Sequence, residues 1–292
     1  MTSRREFLTA TAAGLIAAGG FKVPAFGGQE KRLSHPLKGT LGVQLYSFRA
    51  DFEKDVPGTL ARVRALGFRD VETYSLFKMK AADFADLLKR HELKASSAHM
   101  SYETCRDNLP GVILDAKTLG AEYVTVAWIP HKTFDRDVCL QAAKHFSAWG
   151  TELRKHNLKF AYHLHGYEFN KSLEGTLLDT LMANTPKDAV DYEMDVFWVV
   201  HPGGDPVALL RKYPGRFRLM HLKDMKKGTK GDLTGHAPDN SNVALGSGVI
   251  DWPPILRAAE ETAVKYYYVE DENTNVWKQV PESLEYLARL KL

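Results

Sequence analysis

Past residue 38 the chain alternates eight short β-rich runs with eight amphipathic helical runs, which predicts an α/β fold: a single closed (β/α)8 TIM barrel. Three observations carry that expectation. Alternation of this kind produces a parallel sheet with right-handed crossovers. Eight units in about 255 residues suffice to close it. The first βα turn, Ser47-Phe48-Arg49-Ala50-Asp51, contains no glycine, whereas the rival, an open doubly wound sheet, favours a glycine-rich turn there.

The strands are expected at 41–46, 70–74, 94–99, 123–127, 159–163, 190–195, 218–221 and 266–270, short runs rich in β-branched and aromatic residues. Helices are expected between them at 59–65, 81–91, 111–118, 138–156, 173–182, 207–213 and 254–262. A last helix spans 282–290, with Pro281 ahead of it as a start signal. The αβ joins are short, as in Leu66-Gly67-Phe68 and Leu119-Gly120-Ala121. The long connection 223–249 carries Lys226, Lys227 and Lys230, which read as a solvated loop, although its place at the catalytic rim suits a substrate cover.

The 292 residues carry 39 Lys+Arg against 36 Asp+Glu, a formal net charge of +3, with 44% hydrophobic and 26% charged residues. That usage is ordinary for a folded domain and excludes disorder, collagen and coiled coil. A near-neutral balance also excludes a nucleic-acid protein held by bulk positive charge. Cys105 and Cys139 stand outside any CxxC pair, so two unpaired thiols are expected rather than a disulfide framework.

Ser3-Arg4-Arg5-Glu6-Phe7-Leu8, followed by an Ala/Gly-rich apolar stretch over 9–20, reads as a twin-arginine signal peptide over 1–28. Residues 29–38 are then a linker and 39–292 the barrel. The apolar run is too short and too glycine-interrupted for a stable membrane span. The expected partner is therefore the twin-arginine export machinery, and the expected location periplasmic or exported. That route carries folded proteins, which suits an enzyme that loads a metal before leaving the cytoplasm. It also argues against a phosphorylated substrate.

In a barrel the active site lies at the C-terminal ends of the strands. Strand five ends Tyr162-His163-Leu164-His165 and continues to Glu168, strand six ends Glu193-Met194-Asp195, strand seven at His221 and strand eight at Glu270. Strand alternation places Ala161, His163 and His165 on one face, Asp191, Glu193 and Asp195 on another, and Tyr266, Tyr268 and Glu270 on a third. Four consecutive strands thus deliver ionisable groups to one rim, which points to a divalent metal centre. Mixed imidazole and carboxylate donors suit Mn²⁺ or Zn²⁺, with Co²⁺ or Fe²⁺ as alternatives, better than Ca²⁺. Further rim candidates for binding hydroxyls are Gln44 and Tyr46 on strand one, Glu72 on strand two, His99 on strand three and Lys223 beyond His221.

Several segments resemble the xylose-isomerase-like TIM barrel superfamily, and most closely its sugar phosphate isomerase/epimerase branch. They are Gly42-Val43-Gln44-Leu45-Tyr46-Ser47, the run from Tyr162 to Phe169, Asp195-Val196-Phe197-Trp198, Gly203-Gly204-Asp205-Pro206, His221-Leu222-Lys223-Asp224 and the run from Gly246 to Trp252. The resemblance implies a divalent metal held on strands five to eight, with Asp195, His221 and Glu270 matching three of the family's ligands. Where that family has a glutamate at the end of strand five, this chain has His163, in a His-x-His-x-x-Glu segment. His163 is the expected fourth ligand by position, with Glu168 as the alternative. Related abasic-site endonucleases place a histidine three residues after the strand-six aspartate; Trp198 stands there, so no multinuclear cluster is expected. Trp198 reads equally as an apolar platform for a sugar ring or as a packed rim aromatic.

The resemblance implies chemistry on a carbohydrate beside a carbonyl, through an enediolate that a divalent cation stabilises. Isomerisation or epimerisation of a non-phosphorylated sugar or glycoside is the leading expectation. A 3-keto-glycoside lyase or hydrolase on the same barrel is the alternative. The candidates for moving the proton are His165, Glu168, Glu270 and Lys223. The competing class is a non-catalytic sugar-binding barrel of the cell envelope, for which an intact metal set would have little use.

Overall fold

The computed structural model describes residues 33–173 and 175–292. The expected export signal and the linker as far as residue 32 lie outside the described residues. Eight parallel strands close a barrel in chain order. They are β1 (Thr40–Gln44), β2 (Asp70–Thr73), β3 (Lys94–His99), β4 (Tyr123–Val126), β5 (Lys159–His163), β6 (Val190–Asp195), β7 (Phe217–Leu222) and β8 (Tyr266–Val269). β1 pairs with both β2 and β8, which leaves no open edge. Each strand falls within two residues of its expected bounds, because buried β-branched and aromatic runs leave little else they can form.

The helices that follow the strands are α1 (Val56–Ala65), α2 (Ala81–Arg90), α3 (Leu109–Leu119), α4 (Arg136–Lys155), α5 (Leu177–Ala183), α6 (Pro206–Lys212), α7 (Trp252–Glu261) and α8 (Val276–Arg289). Several begin ahead of the expected positions. Side-chain caps at Asp55, Asn108, Asp135 and Asp205 accept the first free N–H groups. Three of these helices then carry a proline in the first turn, where its missing N–H costs nothing.

Three local expectations are corrected. β1 stops at Gln44, whose side chain accepts from the Tyr46 N–H and turns Leu45–Phe48 into a 3-10 turn. Lys171–Ser172 and Gly175–Thr176 pair as a small antiparallel ribbon, so α5 starts at Leu177, capped by Thr176, and not at 173. Pro281 lies inside α8, which starts five residues ahead of it at Val276.

The barrel interior is layered. Tyr123, Ala161, Leu219, Tyr266 and Tyr268 fill its lower part. Tyr123 donates from its hydroxyl to Asp191 at 3.0 Å, and Tyr268 shares a 2.6 Å hydrogen bond with Ser96, itself bonded to Asp70. A second apolar layer, with Trp252, Phe146 and Phe160 fully buried, separates strands from helices.

The long connection after β7 is anchored by one carboxylate. Buried Asp224 accepts from the backbone N–H groups of Met225 (2.7 Å), Gly246 (2.8 Å), Gly248 (3.3 Å) and Ile250 (3.2 Å), and from the Trp252 indole (3.0 Å). Gly248 is required by that approach, since a Cβ there would lie 2.2 Å from the carboxylate. Lys226, Lys227 and Lys230 are exposed, as a solvated loop requires. Cys105 and Cys139 are both buried, and the Cys139 thiol donates to the Leu177 carbonyl at 3.3 Å. Among the described residues no helix is long and apolar enough to cross a membrane.

Candidate active site

Above the tyrosine layer the strands place a buried ring of acids and imidazoles. Alternation brings Glu72 from β2, Glu193 from β6, His163 from β5 and His221 from β7 to one level, with His99 at the end of β3. Glu72, Glu193 and His221 are fully buried and His163 nearly so. Glu72 Oε2 lies 2.5 Å from His221 Nε2 and accepts from Gln44 Nε2 at 2.8 Å. Glu193 Oε2 lies 2.9 Å from His163 Nδ1 and 3.1 Å from His99 Nε2. Glu72 Oε1 is 3.1 Å from that same His99 nitrogen, so His99 bridges the two acids.

One turn closer to solvent lie Asp195, Glu270 and Lys223. Asp195 ends β6, and its Oδ1 caps the following short helix by accepting from Trp198 N at 3.2 Å. Its other oxygen, Oδ2, is buried and has no hydrogen-bond partner among the described residues. That oxygen faces His163 Nε2 at 3.8 Å, His221 Nδ1 at 3.9 Å and Lys223 Nζ at 3.8 Å. Glu270 Oε2 completes the group, 2.9 Å from His221 Nδ1 and 3.2 Å from Lys223 Nζ. Lys223 also bonds to Glu272.

This geometry fits a divalent cation. Asp195, His221 and Glu270 bring one donor atom each within 4.8 Å of one another, near the span of about 4.4 Å that donors at 2.0–2.2 Å from one ion allow. His163 Nε2 meets that set at Asp195 Oδ2, 3.8 Å away, and a second group within the same 4.8 Å joins His163 to His99, Glu193 and His221. The chemistry agrees: two carboxylates and two imidazoles form a donor set for Zn²⁺ or Mn²⁺. Without such an ion, Asp195 Oδ2 is a buried acceptor with no partner among the described residues, at a cost of about 1–3 kcal/mol.

The electrostatics follow from crowding. Burial opposes ionisation of Asp195 and lifts it to about 7, against the pull of Lys223. Burial also drives His163 down to about 4, helped by the charge on His221. For His99, burial works against the charged form, yet Glu72 and Glu193 override it and raise the imidazole to about 10. Glu270 is held well below the usual range despite burial, by Lys223 and His221.

His99, His163, Lys223 and Glu270 line a cavity of about 590 Å³ at the C-terminal end of the barrel, with Asp195 and His221 buried beneath them. Gln44, Tyr46, His99, His163, His165, Trp198, Lys223 and Glu270, all expected at the rim, line it. His165 stacks on Trp198 with ring centroids 5.4 Å apart, and its Nδ1 is buried without a hydrogen-bond partner among the described residues. Burial holds the His165 imidazole well below its ordinary range. Trp198 is 5% exposed, so it is a packed wall that shows the cavity only part of its surface. The remaining wall was not singled out from sequence: Tyr74, Tyr102, Trp128 and His236 come from four separate loops. Trp128 and His236 meet at 5.2 Å across two of those loops, and no local pattern signals that pairing.

Four expected site residues are not in the cavity wall, and two of them, Asp195 and His221, are fully buried beneath it. Glu72 lies beneath it, fully buried among Gln44, His99 and His221. Glu168, weighed as ligand or acid/base, points into the protein instead. It accepts from the Tyr162 hydroxyl at 2.5 Å and from His165 N at 3.1 Å, and Tyr162 bonds onward to Tyr167 at 2.9 Å. Gly166, at φ 91°, makes the turn that folds Glu168 back. The carboxylate therefore locks the turn after β5 rather than facing substrate.

Glu168 also makes a pH prediction. Burial raises it to about 7 from an ordinary 4.5, against the donors around it. A carboxyl raised on folding stabilises the fold below its unfolded pKa, and that stability is lost as pH climbs through the folded one. Between pH 4.5 and 7 wild type should lose up to about 3 kcal/mol relative to Glu168→Gln. Parallel urea titrations of the two proteins across that window check it, and a pH-independent difference contradicts it.

Residues 60–290 match the family described as Xylose isomerase-like TIM barrel. An inosose dehydratase of Clostridium beijerinckii is 30% identical over 112 residues, 36% of this chain and 37% of that protein. The chain matches less than two thirds of the length of such curated relatives. Among solved structures, a sugar phosphate isomerase/epimerase from Parabacteroides distasonis superposes with a TM-score of 0.71 at 23% identity, covering 86% of this chain and 94% of that one. The IolI protein, solved with a binding zinc atom, superposes with a TM-score of 0.65 at 17% identity over 86% of this chain and 95% of its own. At such identities the superpositions show the fold. With the closed eight-stranded barrel and the family match over most of its length, this chain belongs to the xylose isomerase-like TIM barrel family.

Proposed function

We propose that the chain is a divalent-metal-dependent enzyme that removes a proton from the carbon next to a carbonyl in a non-phosphorylated sugar or glycoside. The observation that carries this reading is the buried Asp195 Oδ2, without a hydrogen-bond partner among the described residues. It faces nitrogens of His163 and His221 and shares a donor group with His221 and Glu270, beneath a cavity that His163 and Glu270 line. His163, Asp195, His221 and Glu270 would hold the cation, which supplies Lewis-acid polarisation of the carbonyl when bound. The IolI structure with its zinc atom supports a metal in this family.

The chain's own residues do the rest. His165, which lines the cavity and has a ring nitrogen without a hydrogen-bond partner among the described residues, accepts the proton. Lys223 offers an ammonium beside Glu270 and Glu272, placed to hold a hydroxyl or return a proton. Return to the neighbouring carbon is isomerisation, and return to the opposite face of the same carbon is epimerisation. Loss of a β-substituent after the same first step is elimination, a second outcome favoured by the likeness to inosose dehydratases.

The wall argues for an uncharged substrate. Among the described residues its one lysine, Lys223, is already held by Glu270 and Glu272, so the wall offers a phosphate no free lysine or arginine. Tyr46, Tyr74, Tyr102, Trp128 and Trp198 instead offer apolar faces to sugar C–H groups. Export through the twin-arginine machinery to the periplasm or beyond agrees with such a substrate. The test is proton NMR in D₂O with free sugars, 3-keto-glycosides and sugar phosphates. Deuterium should enter beside the carbonyl of a neutral sugar or glycoside, and exchange confined to the phosphates would contradict the reading.

A further inference from the structure

We infer that Glu72 and Glu193 are positioning residues that hold the two histidines of the site in opposite tautomers, so that His221 presents Nδ1 and His163 presents Nε2 to the ion. The inference rests on the metal reading above. A carboxylate that holds no cation accepts hydrogen bonds, so the imidazole nitrogen facing it carries the proton. Glu72 faces His221 Nε2 at 2.5 Å, and Glu193 faces His163 Nδ1 at 2.9 Å. The other two ring nitrogens face the proposed ligands: His163 Nε2 lies 3.8 Å from Asp195 Oδ2, and His221 Nδ1 lies 3.9 Å from it and 2.9 Å from Glu270 Oε2, an oxygen that the cation would take up. Reversing either ring would aim an N–H at the ion and a lone pair at a carboxylate.

The acids are themselves fixed. Gln44 Nε2 donates to Glu72 at 2.8 Å, and His99 Nε2 lies 3.1 Å from each acid and ties them together. Glu72 and Glu193 have no exposed surface, so no water competes for the imidazoles. This also gives Glu72 a role that its absence from the cavity wall denies it as a sugar ligand. A carboxylate behind a ligating imidazole raises the donor strength of the ring as well as orienting it.

The experiment uses the full chain, stripped of metal and reloaded with Zn²⁺, with ¹⁵N-labelled histidine. Ring-nitrogen NMR should show His221 protonated at Nε2 and metal-bound at Nδ1, and His163 protonated at Nδ1 and metal-bound at Nε2. The reverse pattern at either ring overturns the inference. Glu72→Gln and Glu193→Gln preserve shape, and each should raise the Zn²⁺ dissociation constant, read by competition with a chelating dye, roughly 10–100-fold with an unchanged circular dichroism spectrum. Undiminished affinity in both variants overturns the inference alone. Failure of wild type to bind Zn²⁺ overturns the metal reading and the inference with it.

Discussion

Asp195→Asn should abolish catalysis while leaving the barrel standing. The amide oxygen can still accept from Trp198 N and cap the short helix, so the fold keeps that contact. What disappears is the negative oxygen that His163, His221 and Lys223 all face. A neutral amide is a far poorer donor to a divalent cation, and the rate should fall by ~10³-fold or more, the several kcal/mol of charge stabilisation that such a cation supplies. Thermal unfolding separates this from misfolding. Wild type at a metal concentration 100 times its Kd gains about 2.7 kcal/mol, whereas the variant should gain nothing. A variant that keeps the metal-dependent rise in Tm would contradict the assignment.

Asp224→Ala should be the most damaging change outside the metal set. It removes one acceptor and strands four backbone N–H groups and an indole N–H, most of them buried. Each unsatisfied donor costs about 1–3 kcal/mol, and relaxation of the loop keeps the total to roughly 3–5 kcal/mol. For a chain of this size Tm should fall by roughly 10 °C. The loop these bonds pin also brings Gly235, His236, Ala237 and Asp239 to the cavity, so KM for any sugar substrate should rise as well. Calorimetry that finds Tm within 2–3 °C of wild type, a shift worth only about 1 kcal/mol, would contradict the anchoring role.

The barrel was legible because its strands are buried on both faces and its helices are amphipathic, which leaves periodicity unambiguous. The pleat carried the reading further: with His163 taken as inward, Glu193 and Asp195 had to share a face, and the structure puts them there. Depth along that face is what alternation does not encode. Glu193 sits one layer below Asp195, under the imidazoles, and was not singled out for a role. Glu72 fell on the correct face for the same reason, but at the lower level. Glu168 was misplaced because the left-handed turn at Gly166 reverses the chain, and no periodic signal crosses such a turn. The cavity wall was the least legible part. Trp128 and His236 are neighbours only because Asp224 gathers the loop after β7.

The central claim is that four strand ends hold one divalent cation. Elemental analysis of the full chain, purified without chelator, tests it most directly. The account predicts about one equivalent of Zn or Mn per wild-type chain, and background levels in Asp195→Asn prepared alongside it. A wild-type chain that carries no metal and binds none when Zn²⁺ or Mn²⁺ is supplied would contradict it.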